Sequence, residues 1–420
     1  MKPNYLTPRA LLKSEWIWLV GIFLFARLLY SGVGILTLRG DTLEEMWRRV
    51  PANDIYQSRT LTVPDWGDGA HLLVDNWYRW DTGWYLKIAA LGFDARDGSI
   101  IFAPLYPLLI RLIQPILGRH YLLAALLISN ASCFAVLVLF YRLAISEAFS
   151  TDETRRAVVL LLAFPTGFYL FAAYTEALFL AFVLATFLMA KHKRWLWAGA
   201  MATLAALARL NGWILSIPLA WLIFTDDLLA APGNPGVEVR NVLRSLRTRA
   251  GWQRALKRLW SPSILAVFLP ILAFLGHNLW LYFNKLGTIS HAYLEYWGMH
   301  IVAPWRWISL VAAHIAQNHA PNNIIDFGLL LLFLFICVAG ASQISPSLSL
   351  YNLATLGMTM MRGHIFPLAG FSRYMLSFFS GFWILGRWSA RRWLFYLLLS
   401  SFLIVQSILL WLFFKGLWVA

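Results

Sequence analysis

Long apolar runs separated by short polar stretches make up most of the chain. A helix needs about 20 apolar residues to cross the roughly 30 Å of hydrocarbon in a bilayer. Trp16 to Leu38, Tyr121 to Ala144, Ile264 to Phe283 and Trp393 to Phe414 each reach that length. Two runs overshoot it and carry internal breakers. Ala157 to Ala190 is interrupted at Phe164-Pro165-Thr166-Gly167, and Trp195 to Phe224 at Arg209-Leu210-Asn211-Gly212, so each predicts two helices meeting at one face. Phe327 to Gly340 and Leu348 to Met361 form a shorter pair, and Phe371-Ser372-Arg373-Tyr374 opens a span running to Gly386. The expected fold is an all-α polytopic membrane protein, a bundle of about eleven transmembrane helices with interfacial helices in its first outer loop. No tandem repeat or low-complexity segment divides it, so residues 1–420 read as one membrane domain.

Composition agrees with that class: 60% of the 420 residues are hydrophobic and only 13% are charged. The net charge of +15 is concentrated in loops between apolar runs, as the positive-inside bias requires, so anionic lipid and not nucleic acid is the expected neighbour. Lys2, Arg9 and Lys13 place the N-terminus in the cytoplasm ahead of an uncleaved first helix, in which Arg27 either snorkels or pairs within the bundle. The densest basic stretch, residues 226–261 with Arg240, Arg244, Arg247, Arg249, Arg254, Lys257 and Arg258, is a cytoplasmic loop facing acidic lipid. Cys133 and Cys337 lie inside apolar runs as small hydrophobes and imply neither disulfide nor metal.

Residues 39–120 form the first outer loop, and residues 284–326 another. In the first, Asp65-Trp66-Gly67-Asp68-Gly69 has the make-up of a turn. Beyond it, Trp80-Asp81 opens a stretch in which Trp84, Tyr85, Ile88 and Ala89 recur at helical spacing, with Lys87 off that face. Such a helix would lie along the outer membrane surface. A second interfacial or re-entrant helix follows from Ile101 to Leu117, with Pro104 and Pro107 near its start. An acid beside tryptophans where membrane meets water is costly, which makes Asp81 the candidate centre of chemistry. The same carboxylate could simply N-cap its helix, and one group can serve both roles. In the second loop, His291, His300, His314 and His319 lack the spacing of a zinc site, so no metal is expected there.

This topology puts Asp81, Glu176, Arg209, Arg362, His364 and Arg373 at the outer ends of spans or on the outer surface, where they would line one cavity. No Gly-rich phosphate loop and no dinucleotide-binding fingerprint is present, which argues against a soluble nucleotide as donor or fuel.

An ordered set of motifs then resembles a known family. Trp80-Asp81 with Trp84-Tyr85, Ile88-Ala89 and Gly92-Phe93, Phe102-Ala103-Pro104-Leu105-Tyr106-Pro107, Tyr174-Thr175-Glu176-Ala177-Leu178-Phe179, Ala208-Arg209-Leu210-Asn211-Gly212 and Arg373-Tyr374 together are similar to the PIG-V type of GPI mannosyltransferase, within the GT-C superfamily of integral membrane glycosyltransferases. The similarity runs from about residue 15 to 390. It implies a polyprenyl-phosphate sugar donor and a catalytic acid in the first outer loop, a position that Asp81 matches. Trp84 stands where eukaryotic members tend to carry histidine, and Ala103 where a second aromatic is common, which favours a prokaryotic relative in a cell membrane and puts a GPI acceptor in question.

The resemblance and the residues meet in one mechanism. Asp81 acts as general base on an acceptor hydroxyl, whose oxygen attacks the anomeric carbon opposite the lipid phosphate and inverts it. Arg209, Arg373, His364 and Lys87 are candidates to meet the leaving phosphate, with Trp80 a further substrate contact beside the base. Glu176 orients the acceptor or holds an arginine, and a purely structural Glu–Arg pair reads equally well. The expected partners are a polyprenyl-phosphate sugar, a lipid or glycolipid acceptor and membrane lipids, with no cofactor and the metal requirement open. The active site would be extracytoplasmic. A transporter or lipid flippase is the alternative, weakened by the lack of repeat halves and by polar groups gathered at one face instead of the midplane.

Overall fold

A computed structural model describes residues 11–39, 72–226, 235–317, 321–364, 367–368, 370–417 and 419. The turn at residues 65–69 and His319 lie outside them. In chain order the helices are α1 (Lys13–Leu38), α2 (Asp81–Leu91), α3 (Leu105–Ile113), α4 (Tyr121–Ser146), α5 (Thr151–Ala163), α6 (Glu176–Lys191), α7 (Trp195–Ala208), α8 (Ser216–Thr225), α9 (Pro235–Leu246), α10 (Arg249–Lys257), α11 (Leu265–Phe283), α12 (Ile289–Trp297), α13 (Pro304–Gln317), α14 (Pro321–Ala339), α15 (Pro346–Thr359), α16 (Phe371–Tyr374), α17 (Phe379–Trp388) and α18 (Arg392–Phe414). Two short strands, β1 (His300–Ile301) and β2 (Arg362–Gly363), pair antiparallel with Ile301 opposite Arg362.

The protein is an all-α membrane protein. Among the described residues four helical segments, Lys13–Leu38, Tyr121–Ser146, Pro262–Phe283 and Arg392–Phe414, are long and apolar enough to cross a bilayer. The other expected spans are shorter or broken helices. Leu24, Phe25 and Leu28 on α1, Leu272 and Leu279 on α11, and Leu397 and Ile404 on α18 are exposed, the outward apolar surface that hydrocarbon would cover. On α3, Leu108 and Leu112 point outward, with Ile116 just beyond its end, while Tyr106 and Ile110 point in, so it is one-sided as expected of an interfacial helix.

The interior is built on α6, which is buried almost throughout, with α4 and α7 against it and α11 against α7. The last contact depends on small residues. Ala198, Gly199, Ala202 and Ala205 are buried on α7, and a Cβ on Gly199 would come within 2.6 Å of the Ala266 backbone.

The breakers fall where the pattern put them. Pro165 has no N–H to extend α5, whose last carbonyls need other donors. Tyr30 Oη of α1 donates to Leu162 O at 2.5 Å, and Gln406 Nε2 of α18 donates to Leu162 O at 2.8 Å and Phe164 O at 2.7 Å. The terminal helices are thereby hydrogen-bonded to the central break. Arg27 rests over the Trp77 ring at 4.8 Å, the pairing within the bundle that its position called for.

Ion pairs sort to opposite helix ends. At one end Glu147 pairs with Lys191, Asp226 with Lys193 and Arg258, and Glu153 with Arg387. Glu176, at the other end of α6 from Lys191, belongs to a separate group.

Candidate active site

The site starts from a fixed loop. Arg79 is buried and crowns the C-terminus of α18, where carbonyls lack helical partners. Its Nε donates to Phe413 O at 3.0 Å, its Nη2 to Phe414 O at 2.6 Å and its Nη1 to Tyr78 O at 2.7 Å. Trp80 follows with φ +49° and ψ −116°, a conformation that an aromatic residue adopts at a cost of about 1–3 kcal/mol. That backbone reversal starts α2 at Asp81. Thr82 Oγ1 donates to Ala173 O at 3.3 Å, Tyr174 Oη donates to Arg79 O at 3.0 Å, and the hydroxyls of Tyr85 and Thr175 are 3.3 Å apart. The start of α2 is thus bonded to the segment that begins α6 at Glu176.

Arg373 comes from the other side, on the single turn of α16. Asp326, in the second turn of α14, accepts from Ser372 N at 3.1 Å, and Thr166 Oγ1 donates to Ser372 O at 3.0 Å. Arg373 is buried against the rings of Tyr169 and Tyr174, whose centres lie 5.5 and 5.3 Å from its guanidinium carbon.

Four charges then form a chain. Arg373 Nη1 donates to Asp81 Oδ2 at 2.8 Å, Arg373 Nε lies 3.2 Å from Glu176 Oε1, and Arg209 Nη1 donates to the same Oε1 at 2.7 Å. Asp81 is half-buried and Glu176 is buried, with only 4% of its surface accessible. Each carboxylate keeps an oxygen outside the chain. Glu176 Oε2 is buried with no hydrogen-bond partner among the described residues, and Asp81 Oδ1 accepts none of the bonds found. The cap of α2 is Trp80, and Asp81 is the first helical residue with its carboxylate turned to Arg373. Capping does not describe its position.

The remaining expected site residues are placed differently. Lys87 was expected off the apolar face of a surface helix, but α2 is buried on nearly all sides, with α3 and α4 packed against it. Lys87 is buried, paired with Asp97 and 5.5 Å from the Trp84 ring centre, and burial lowers its ammonium to about 8. Asp97 is not one of the four charges. His364 follows β2 and is half-buried, and none of the four-charge contacts involves it. Trp80 makes the backbone turn ahead of Asp81, and its ring is half-buried. On α12, His291 Nε2 lies 2.6 Å from Glu295 Oε2 of the same helix, both exposed. Among the described residues no three His, Cys, Asp or Glu side chains gather as metal ligands would.

One residue outside the expected set, Tyr374, stands beside the four charges. Tyr374 is ringed by the guanidiniums of Arg209, Arg362 and Arg373, at 5.1, 4.9 and 5.8 Å from its ring centre. The Arg373-Tyr374 pair was visible in sequence, but the convergence of three arginines on Tyr374 was not.

A helical membrane protein with acids and arginines interlocked at one end of its bundle has the layout of a membrane-embedded enzyme. A family model described as Mannosyltransferase (PIG-V) matches residues 66–305, more than half of the chain, and the chain belongs to that family. It is therefore a glycosyltransferase. The match includes Asp81, Glu176 and Arg209 and ends before Arg362 and Arg373. No curated protein and no solved structure matches the chain.

Proposed function

We propose that the chain is an inverting mannosyltransferase that moves mannose from a polyprenyl-phosphate donor to a lipid or glycolipid acceptor on the extracytoplasmic face of a cell membrane, with Asp81 as general base. The observation that carries this reading is the orientation of Asp81: Arg373 holds Oδ2 at 2.8 Å, and Oδ1 is left to an incoming hydroxyl. In the reaction the acceptor O–H proton passes to Oδ1 while the acceptor oxygen bonds to the anomeric carbon. The bond from that carbon to the phosphate oxygen breaks, and its electron pair leaves with the polyprenyl phosphate. Arg373 keeps the carboxylate aimed, and Glu176 fixes Arg373 and Arg209 with one oxygen while offering the other to a sugar or acceptor hydroxyl. The sidedness follows from the basic loop at residues 226–261, which the positive-inside bias assigns to the cytoplasm, and from the four charges lying at the other helix ends.

The test is transfer by the purified chain with polyprenyl-phosphate mannose or nucleotide-activated mannose as donor, with the product's anomeric configuration read by NMR. Transfer from the lipid donor alone, with inversion, is the expected result. Transfer from the nucleotide sugar, or retention, would overturn the donor or the mechanism.

A further inference from the structure

We propose that Arg362 is the phosphate anchor of this site, the residue that holds the polyprenyl phosphate before and after transfer. The inference rests on the reading of the donor as a polyprenyl-phosphate sugar and assigns its anionic group to a residue. An anchor for phosphate must be a cation with donors left over. Arg373 is ion-paired with Asp81 and Glu176, Arg209 with Glu176, and Lys87 with Asp97, so each of these charges already faces a carboxylate. Arg362 differs. Among the described residues no carboxylate lies within ion-pair distance of it, and its one hydrogen bond is a weak contact from Nη2 to Met299 Sδ at 3.5 Å.

Charge balance points the same way. Asp81 and Glu176 oppose Arg209, Arg373 and Arg362, which leaves one net positive charge around Tyr374. A sugar phosphodiester carries one negative charge, and the monophosphate that leaves carries about 1.5–2 at neutral pH. The site is thus matched to the donor and gains attraction as the bond to the sugar breaks.

Placement also suits the role. Arg362 is half-buried, so its guanidinium is reachable but partly shielded from water. It stands on β2, fixed by pairing with β1 and by the bond from Val302 N to Met361 O at 2.9 Å. Its guanidinium lies 4.9 Å from the Tyr374 ring centre, beside the turn that carries Arg373. Arg209 and Arg373, which hold the acids, and the anchor therefore share the Tyr374 ring.

The test measures binding of farnesyl phosphate, a short polyprenyl monophosphate, to the purified full chain, with farnesol as the uncharged control. Arg362→Gln is expected to weaken farnesyl phosphate roughly ten- to hundredfold, the range of a lost charge-assisted contact, and Arg362→Lys to weaken it less. Farnesol binding should be the same in all three proteins, which also reports that the variants are folded. In turnover, Arg362→Gln should raise the donor KM and leave the acceptor KM unchanged. Farnesyl phosphate binding unchanged in Arg362→Gln would overturn the anchor while leaving the donor reading intact. Absence of binding in the wild type would remove the donor reading and the anchor with it.

Discussion

At the residue scale the site is an argument about which oxygen each arginine leaves free. Glu176→Gln keeps the shape but removes the charge that holds Arg209 and Arg373. Breaking a buried pair by neutralising one partner costs about 3–5 kcal/mol. The variant should melt well below wild type, and Arg209→Met added to it should recover part of the loss, measured by thermal unfolding in detergent. No recovery would mean that Arg209 is not held by this carboxylate. Trp80 gives a second residue-level expectation. Glycine tolerates φ +49° freely, so Trp80→Gly relieves strain, yet it also removes a half-buried ring beside Asp81. Transfer should fall further than thermal stability, and an activity loss no greater than the stability loss would argue that the turn alone matters.

Elements decide whether the residue geometry survives, and here the sequence was partly legible. Breakers at Pro165 and at Asn211-Gly212 marked the ends of α5 and α7, because a missing donor and a flexible backbone act locally. The character of α2 was not legible. Its apolar spacing reads as one face on a surface, but what surrounds a helix is set by distant segments, and those bury Lys87 as well. Lys87→Met should leave Asp97 without its lysine and lower stability, while Lys87→Met with Asp97→Leu should restore much of it. If the double variant is folded but has a selectively raised donor KM, Lys87 meets substrate after all. The grip of Arg79 on α18 is equally invisible in sequence, since its partners are carbonyls more than 330 positions away. Arg79→Met should loosen both the start of α2 and the end of α18, seen as faster amide exchange in both. Faster exchange in only one of them would contradict that coupling.

For the whole molecule, hydropathy and charge revealed the class and the sorting of polar groups to opposite ends, because both follow from the bilayer as solvent. They did not reveal how the outer groups interlock. Asp81, Glu176, Arg209 and Arg373 were each placed on one side by counting spans, whereas the bonds among them depend on α16 being seated by Asp326 and Thr166. Sidedness has its own test. Both native cysteines are buried, so single cysteines at exposed Lys285 and exposed Arg391 can be labelled with an impermeant maleimide on intact cells. Lys285→Cys is expected to label and Arg391→Cys to label only after permeabilisation. The reverse pattern would put the site in the cytoplasm.

The central claim is that Asp81 takes the acceptor's proton, and one comparison tests it most directly: transfer and donor binding by purified wild type and Asp81→Asn. Asparagine can still accept from Arg373 with its amide oxygen but cannot act as a base, so transfer should fall roughly 10²- to 10⁴-fold with donor affinity nearly unchanged. Wild-type turnover in Asp81→Asn would contradict the account and turn attention to the free oxygen of Glu176.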